Sequence, residues 1–261
     1  MSEPLDSPEA LVHRSSERGV TTLTLDSPAN RNALSTRLVA ELSEGLAQAE
    51  DDKSVRAVVL THTGSVFCAG ADLKETTSGD PASGPRNLVQ LMRAIAELDK
   101  PVLAKVNGHV RAGGLGLVGA CDIAVAGPKA TFAFTEVKLG LAPAVISLPL
   151  LPRLDPRAAS AWYLTGATFD AGEAARIGLI TQAAADEEGV GAACAQYLDG
   201  LRTASPQGLA ETKRLVTAEV LKTFDEHCDA MVELSTRLFA SAEAQEGMRA
   251  FLERRPPSWA Q

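Results

Sequence analysis

Cysteine is scarce and scattered. Cys68, Cys121, Cys194 and Cys228 stand far apart and form no CxxC pair. That spacing excludes a disulfide framework or a cysteine zinc site and fits reduced thiols in a cytosolic protein. Long apolar runs are missing too: no uncharged stretch reaches the roughly 20 residues of a spanning helix, so no membrane segment is expected. The opening MSEPLDSPEALVHR has no basic n-region followed by an apolar h-region. No secretory leader is expected there, and a cytoplasmic location is. Positive charge is also short: 25 Lys and Arg against 33 Asp and Glu leave a formal net charge of −8. Non-specific binding to nucleic acid or to an anionic membrane is disfavoured, although a local basic spot can hold an anionic ligand. No internal repeat or low-complexity block breaks the chain.

What is present is an ordinary globular composition, 45% hydrophobic and 22% charged. It suffices for one large core or a core with an appendage. Residues 20–25 alternate apolar and hydroxyl side chains, as a half-buried strand does. Ser35 is placed to cap a helix with Leu38, Val39, Leu42 and Leu46 on one face. Residues 55–60 read as a buried strand and 74–86 as a mobile surface loop. Leu88, Leu91, Met92, Ile95 and Leu98 follow helical spacing. Strands are expected at 101–106 and 122–126, with a short helix at 113–120 between them. This alternation argues for an α/β layered core. Beyond Ala144, prolines cut the chain into pieces. Helices are expected at 158–164, 171–177, 189–201, 209–220, 224–238 and 242–252. A boundary near residue 200 separates a core over 1–200 from a C-terminal helical region over 201–261.

Gly114, Gly116 and Gly119 satisfy GxGxxG, the dinucleotide fingerprint. Three features exclude that reading. Asn107 to Ala112 separate the strand from the glycines, the helix is too short, and strand 122–126 ends in Gly127 without an acidic residue to hold a ribose. The glycines instead let a helix pack closely and let a backbone approach a ligand. Gly113 and Gly114 open that helix, where the first N–H groups lack intrahelical partners and the dipole adds positive potential. A developing oxyanion is well placed there. The turn Ala69-Gly70-Ala71 is its expected partner. Glu136 stands among Phe132, Phe134, Val137 and Leu139. Its carboxyl is either desolvated, with a pKa raised into the range of acid–base work, or exposed, alone or paired with Lys138. His109 and Arg111, in the loop before Gly113, read as a hydrogen-bonded histidine and an arginine bound to a carbonyl or carboxylate. His13, His62 and His227 read as incidental, Trp162 and Trp259 as packing.

Several segments now fall into one order: Arg31-Asn32-Ala33-Leu34-Ser35, Phe67-Cys68-Ala69-Gly70-Ala71-Asp72-Leu73-Lys74, Asn107-Gly108, Gly113-Gly114, Cys121-Asp122, residues 135–143, Leu164-Thr165-Gly166, residues 171–174 and Gly178-Leu179-Ile180. Together they resemble the enoyl-CoA hydratase/isomerase family of the crotonase superfamily over nearly the full length. The resemblance implies an α/β fold, a spiral of ββα units with a C-terminal helical region that trimerises, giving a homotrimer or a dimer of trimers. It implies an acyl-CoA thioester as substrate, with CoA part of the substrate and no metal or redox cofactor. By position, the N–H groups of Ala71 and Gly113 form an oxyanion hole and Glu136 is the acid/base. Arg31, Ala33, Leu34, Cys68, Ala69, Gly70, Asp72, Leu73 and Lys74 line the substrate, with Gly114 and Gly116. Phe251 to Arg255 lie near CoA, in the same or a neighbouring subunit.

The departures are specific. Hydratases of the family carry two glutamates; one falls on Glu136 and the other on Gly116. Ala112 stands for the first of three usual glycines, and Ala144-Val145-Ile146-Ser147 for a glycine-rich segment. With one carboxylate, Glu136 must both deprotonate water and protonate C2, or another group must help. An isomerase needs one carboxylate, which takes a proton at C2 and returns it at C4. Asp122 and Glu75 are conceivable second acids at structural family positions. The function expected is an enoyl-CoA hydratase, with an enoyl-CoA isomerase as the alternative and a non-catalytic CoA-ester binder as the third. A ClpP-like protease shares the superfold, but no Ser/His/Asp constellation stands out.

Overall fold

A computed structural model describes residues 10–73, 75 and 82–260. It opens with an antiparallel pair, β1 (Val12–Glu17) and β2 (Val20–Leu25). β1 carries VHRSSE, too polar to show a strand pattern; it is held by its ladder with β2 and, at its start, by α1 (Thr36–Asp51). Glu41 on α1 is 2% exposed and accepts the Leu11 and Val12 N–H groups at 2.6 and 3.0 Å. Ser35 caps α1, accepting the Leu38 N–H at 3.2 Å.

A repeating order follows. β3 (Ala57–His62) and β4 (Val66–Cys68) lead to α2 (Ser83–Glu97). β5 (Val102–Val106) and β6 (His109–Arg111) lead to α3 (Gly113–Ala120). β7 (Ile123–Ala126) and β8 (Thr131–Ala133) lead to a 3₁₀ turn, Thr135–Leu139. The rest is mostly helical: α4 (Ser147–Leu150), α5 (Pro156–Thr165), a short β9 (Phe169–Asp170), α6 (Ala171–Arg176), a short β10 (Gln182–Ala183), α7 (Glu187–Thr203), α8 (Pro206–Phe239) and α9 (Ala242–Leu252).

Among the described residues, the first strand of each repeat joins a six-stranded sheet, β1-β2-β3-β5-β7-β10, and the second joins a four-stranded sheet, β4-β6-β8-β9. Strands β2 to β10 of the larger sheet run parallel, as do β4, β6 and β8 of the smaller one. This is the expected spiral of ββα units: each repeat places one strand in each sheet and returns through a helix or turn. Phe67, Phe132, Phe134 and Phe224 are fully buried, and one apolar cluster runs from the spiral to Val220, Phe224 and Val232 of α8.

Three expectations need correction. The segment 109–111 is strand β6 rather than loop, because Arg111 pairs across to Ala133. α2 begins at Ser83, inside the stretch read as loop; Lys74 and residues 76–81 of that stretch lie outside the described residues. The two helices expected at 209–220 and 224–238 are one 34-residue helix, α8. Leu221, Lys222 and Thr223 contain no helix breaker, and the Thr223 hydroxyl donates to Val220 O at 2.8 Å and to Leu148 O at 2.5 Å.

Candidate active site

The register of the small sheet gathers the site. Cys68 pairs with Val110, and Arg111 with Ala133, across parallel strands. All three chains therefore leave the sheet at one edge. Ala71 follows Cys68 by three residues, Gly113 follows Arg111 by two, and Glu136 follows Ala133 by three. The carboxyl ends of parallel strands are where α/β sheets commonly seat ligands.

The two glycine turns touch. Gly70 lies at φ +90°, and a Cβ there would come within 2.7 Å of Ala112 Cβ and 3.3 Å of Gly113 N. Only glycine suits both the conformation and the approach. The Gly70 turn is pinned from behind: its carbonyl accepts the Leu34 N–H at 2.8 Å, and its N–H points to Cys68 Sγ at 3.4 Å. The Gly113 turn is set by Ala112, whose N–H donates to Ala133 O at 3.3 Å and whose φ is +45° with ψ −121°. Among the described residues, neither the Ala71 nor the Gly113 N–H has an acceptor. Two neighbouring free amides, one at a helix start, are donors of the kind that can hold an oxyanion.

Glu136 sits in the 3₁₀ turn that follows β8. The residue is half-buried, but its Oε2 is sealed from solvent and has no hydrogen-bond partner among the described residues. Burial raises its pKa to about 7, against a smaller opposing effect of its own backbone N–H. The desolvated reading therefore holds, and Lys138 is exposed and does not pair with it. A carboxyl near 7 exchanges a proton in either direction at neutral pH.

The other expected site residues flank the amides. Arg31, with an exposed side chain, lies at φ +54°, and its carbonyl accepts the Ala69 N–H at 3.1 Å. Ala33 is buried and Leu34 half-buried, the latter bridged to Ala71. Asp72 and Leu73 are half-buried, and Asp72 accepts from Asn30 Nδ2 at 2.7 Å. Gly114 is buried against Cys68; a Cβ there would lie 2.8 Å from Cys68 Cβ. Gly116 is buried in α3, and a Cβ would meet Met92 Sδ at 2.5 Å and Ile146 Cγ2 at 2.7 Å. The space a second glutamate would need is filled by apolar side chains. Glu75 caps α1, accepting from the Thr36 N–H at 2.8 Å and its hydroxyl at 2.9 Å. Asp122 pairs with Lys213 at 2.8 Å and accepts the Val102 N–H at 2.7 Å. Neither carboxylate stands in for the missing one.

Sequence reasoning missed three residues. Asn32, fully buried at φ +51°, donates to Val66 O at 2.8 Å and accepts the Ser27 N–H at 2.7 Å, stapling segment 31–34 to the β3–β4 turn. Its signal is that asparagine tolerates the left-handed region. His62 is not incidental: its Nε2 accepts the Asn107 N–H at 3.1 Å, and burial pushes its pKa below the ordinary value, so it stays a neutral acceptor. The third is Tyr163, whose hydroxyl is buried and whose ring packs against Phe134, two residues before Glu136. A groove of about 460 Å³ lined by Leu151, Pro156, Ala159, Ser160, Tyr163 and Leu164 opens next to it. His109 bonds Thr131 Oγ1 at 2.9 Å, and Arg111 donates to Thr131 O at 2.6 Å and Val110 O at 2.8 Å, as a structural pair.

Known proteins fit this architecture. The profile of the family described as Enoyl-CoA hydratase/isomerase matches residues 15–261. An enoyl-CoA hydratase of Mycobacterium tuberculosis is 33% identical over 261 residues, covering 97% of this chain and 96% of its own. A 1,2-epoxyphenylacetyl-CoA isomerase of Escherichia coli is 34% identical over 251 residues, covering 93% and 95%. Among solved structures, an enoyl-CoA hydratase from Mycobacterium avium is 53% identical with a TM-score of 0.89, covering 96% of this chain and 99% of its own. The two curated relatives, one named for addition of water and one for isomerisation, are about equally similar, whereas the solved structure at 53% identity is named a hydratase. With the spiral, the paired glycine turns and a profile match over nearly all residues, the chain belongs to the enoyl-CoA hydratase/isomerase family of the crotonase superfamily.

Proposed function

We propose that this protein is an enoyl-CoA hydratase. The observation that carries the reading is the pairing of two free amides with one sealed carboxyl at a single sheet edge. The thioester oxygen of a 2-enoyl-CoA accepts from the Ala71 and Gly113 N–H groups. Enolate charge then develops where the amides point, and losing one such donor typically costs about 10²–10³ in rate. Glu136 takes the proton of the added water and delivers it to C2, work typically worth roughly 10²–10⁴. Arg31, Ala33 and Leu34, with residues 68–74, hold the CoA portion. CoA belongs to the substrate, and the chemistry calls for no metal or redox cofactor. A homotrimer or dimer of trimers is part of the same reading, supported by exposed Leu215 and Val216 on α8 and Phe251 and Leu252 on α9.

One observation favours a second reading. The filled space at Gly116 leaves Glu136 without the second carboxylate that would help hold a water. A lone glutamate suffices for an enoyl-CoA isomerase that moves a proton from C2 to C4. A spectrophotometric assay separates the two. A hydratase removes the conjugated-thioester absorbance of a 2-enoyl-CoA; an isomerase creates it from a 3-enoyl-CoA. CoA esters that bind without either change would leave a non-catalytic binder.

A further inference from the structure

Glu136 Oε2 has company. The Tyr163 hydroxyl is also shut off from solvent and without a partner among the described residues. Buried polar atoms are paired in the great majority of cases, so two orphans side by side ask for one explanation. They sit on packed elements: α5 carries Tyr163 against the turn that carries Glu136. The Tyr163 ring is fixed against Phe134, centroids 4.2 Å apart and planes 40° apart. Its helix, α5, ends on the same turn; a Cβ at Gly166 would meet Phe134 O and Val137 Cγ1, each at 3.0 Å.

The hydrogen-bonding capacities of the three groups fix what can enter. The Ser147 hydrogen is engaged, donated to Pro143 O at 2.6 Å. The Tyr163 hydroxyl has no partner among the described residues, so its hydrogen and its lone pairs are both open to a ligand. Burial holds the phenol far above its ordinary range, so it stays neutral. Ionised Glu136 is likewise an acceptor. A small group that can donate to a carboxylate while pairing with a neutral hydroxyl is water.

We propose that Tyr163 takes the place of the absent second carboxylate, so that Glu136 and Tyr163 together hold the water that adds to C3 of a 2-enoyl-CoA. This rests on the site reading given under Proposed function and decides it toward hydration. The water oxygen bonds to C3, the C2=C3 π pair moves onto the thioester oxygen as an enolate, and one water proton passes to Glu136. That proton then goes from Glu136 to C2 as the enolate collapses. The other hydrogen stays on the new hydroxyl, and Tyr163 keeps its proton throughout.

The test compares two rates in one protein. Hydration of 2-enoyl-CoA is followed by absorbance across short, medium and long chains. Exchange of the C2 hydrogen of a saturated acyl-CoA with deuterated solvent is followed by mass spectrometry; it needs Glu136 and the amides but no added water. Tyr163→Phe keeps the ring on Phe134. It should lower kcat for hydration by roughly 10²-fold, the scale of a misplaced reactant, with KM and exchange within about twofold. Wild-type hydration in Tyr163→Phe, or an equal fall in exchange, overturns the proposal. A parent protein that exchanges but hydrates no chain length overturns it while leaving the amide–Glu136 site standing; one that does neither overturns both.

Discussion

Glu136 couples chemistry to stability. Its carboxyl titrates at about 7 in the folded chain against 4.5 for the free group, because burial disfavours the charge. Between those values the folded state keeps a proton that the unfolded chain has lost. Stability therefore falls as pH rises through that window and stays low above about 7. The shift corresponds to about 3 kcal/mol. Glu136→Gln should abolish turnover, leave CoA-ester binding largely intact, and gain about 3 kcal/mol over wild type between about pH 4 and about pH 8. Urea unfolding at the two pH values measures the gain; an unchanging difference would show a solvated carboxyl. The proposed hydration begins with the ionised form, so kcat/KM should decline below about pH 7. Ala112 is a second residue-scale case. Its φ of +45° with ψ −121° is strained for any side chain and easy for glycine. Ala112→Gly should raise stability by about 1 kcal/mol, the relief of strain outweighing the added freedom of the unfolded chain. A lowered urea midpoint would show that Ala112 Cβ contributes packing instead.

At the scale of elements, α3 is held so close to its neighbours that its sequence is nearly fixed. Gly116 has Met92 and Ile146 against it. Gly116→Ala should cost about 1–3 kcal/mol by overpacking, and Gly116→Glu should lose fold rather than gain a second acid; thermal unfolding and hydration assays report the two outcomes. α8 is tied to the spiral by Lys213, which donates to Ile95 O at 2.8 Å and Lys100 O at 3.1 Å and pairs with Asp122 at 2.8 Å. Lys213→Met should destabilise by roughly 3–5 kcal/mol by stranding that carboxylate. Asp122→Asn in the same chain should recover part of the loss; none recovered would mean the backbone carbonyls dominate. Legibility follows the same division. α1 and α9 can be read because each has an apolar stripe of helical period and a serine cap. β1 cannot, because its ladder with β2 and a buried glutamate on α1 hold it, not a pattern of its own. Glu136 is flagged by its apolar flanks. Tyr163 is not, because nothing in its own helix says that its hydroxyl meets a turn carried by a different strand.

At the scale of the whole molecule, the exposed apolar residues of α8 and α9 ask for a cover. Leu215 is 78% and Val216 67% exposed. Light scattering should give three or six times the 27.3 kDa chain mass. A Leu215→Asp, Val216→Asp double variant should shift that mass downward; a monomeric parent would contradict the trimer. The converging strand ends have a wider meaning. In the proposed reading, activation of the thioester rests with main-chain groups that no side-chain replacement can delete, while proton handling rests with side chains on separate excursions. Such a division of labour lets a scaffold change its repertoire piecemeal: variation at 136 and 163 would redirect the fate of the enolate without disturbing how it is made.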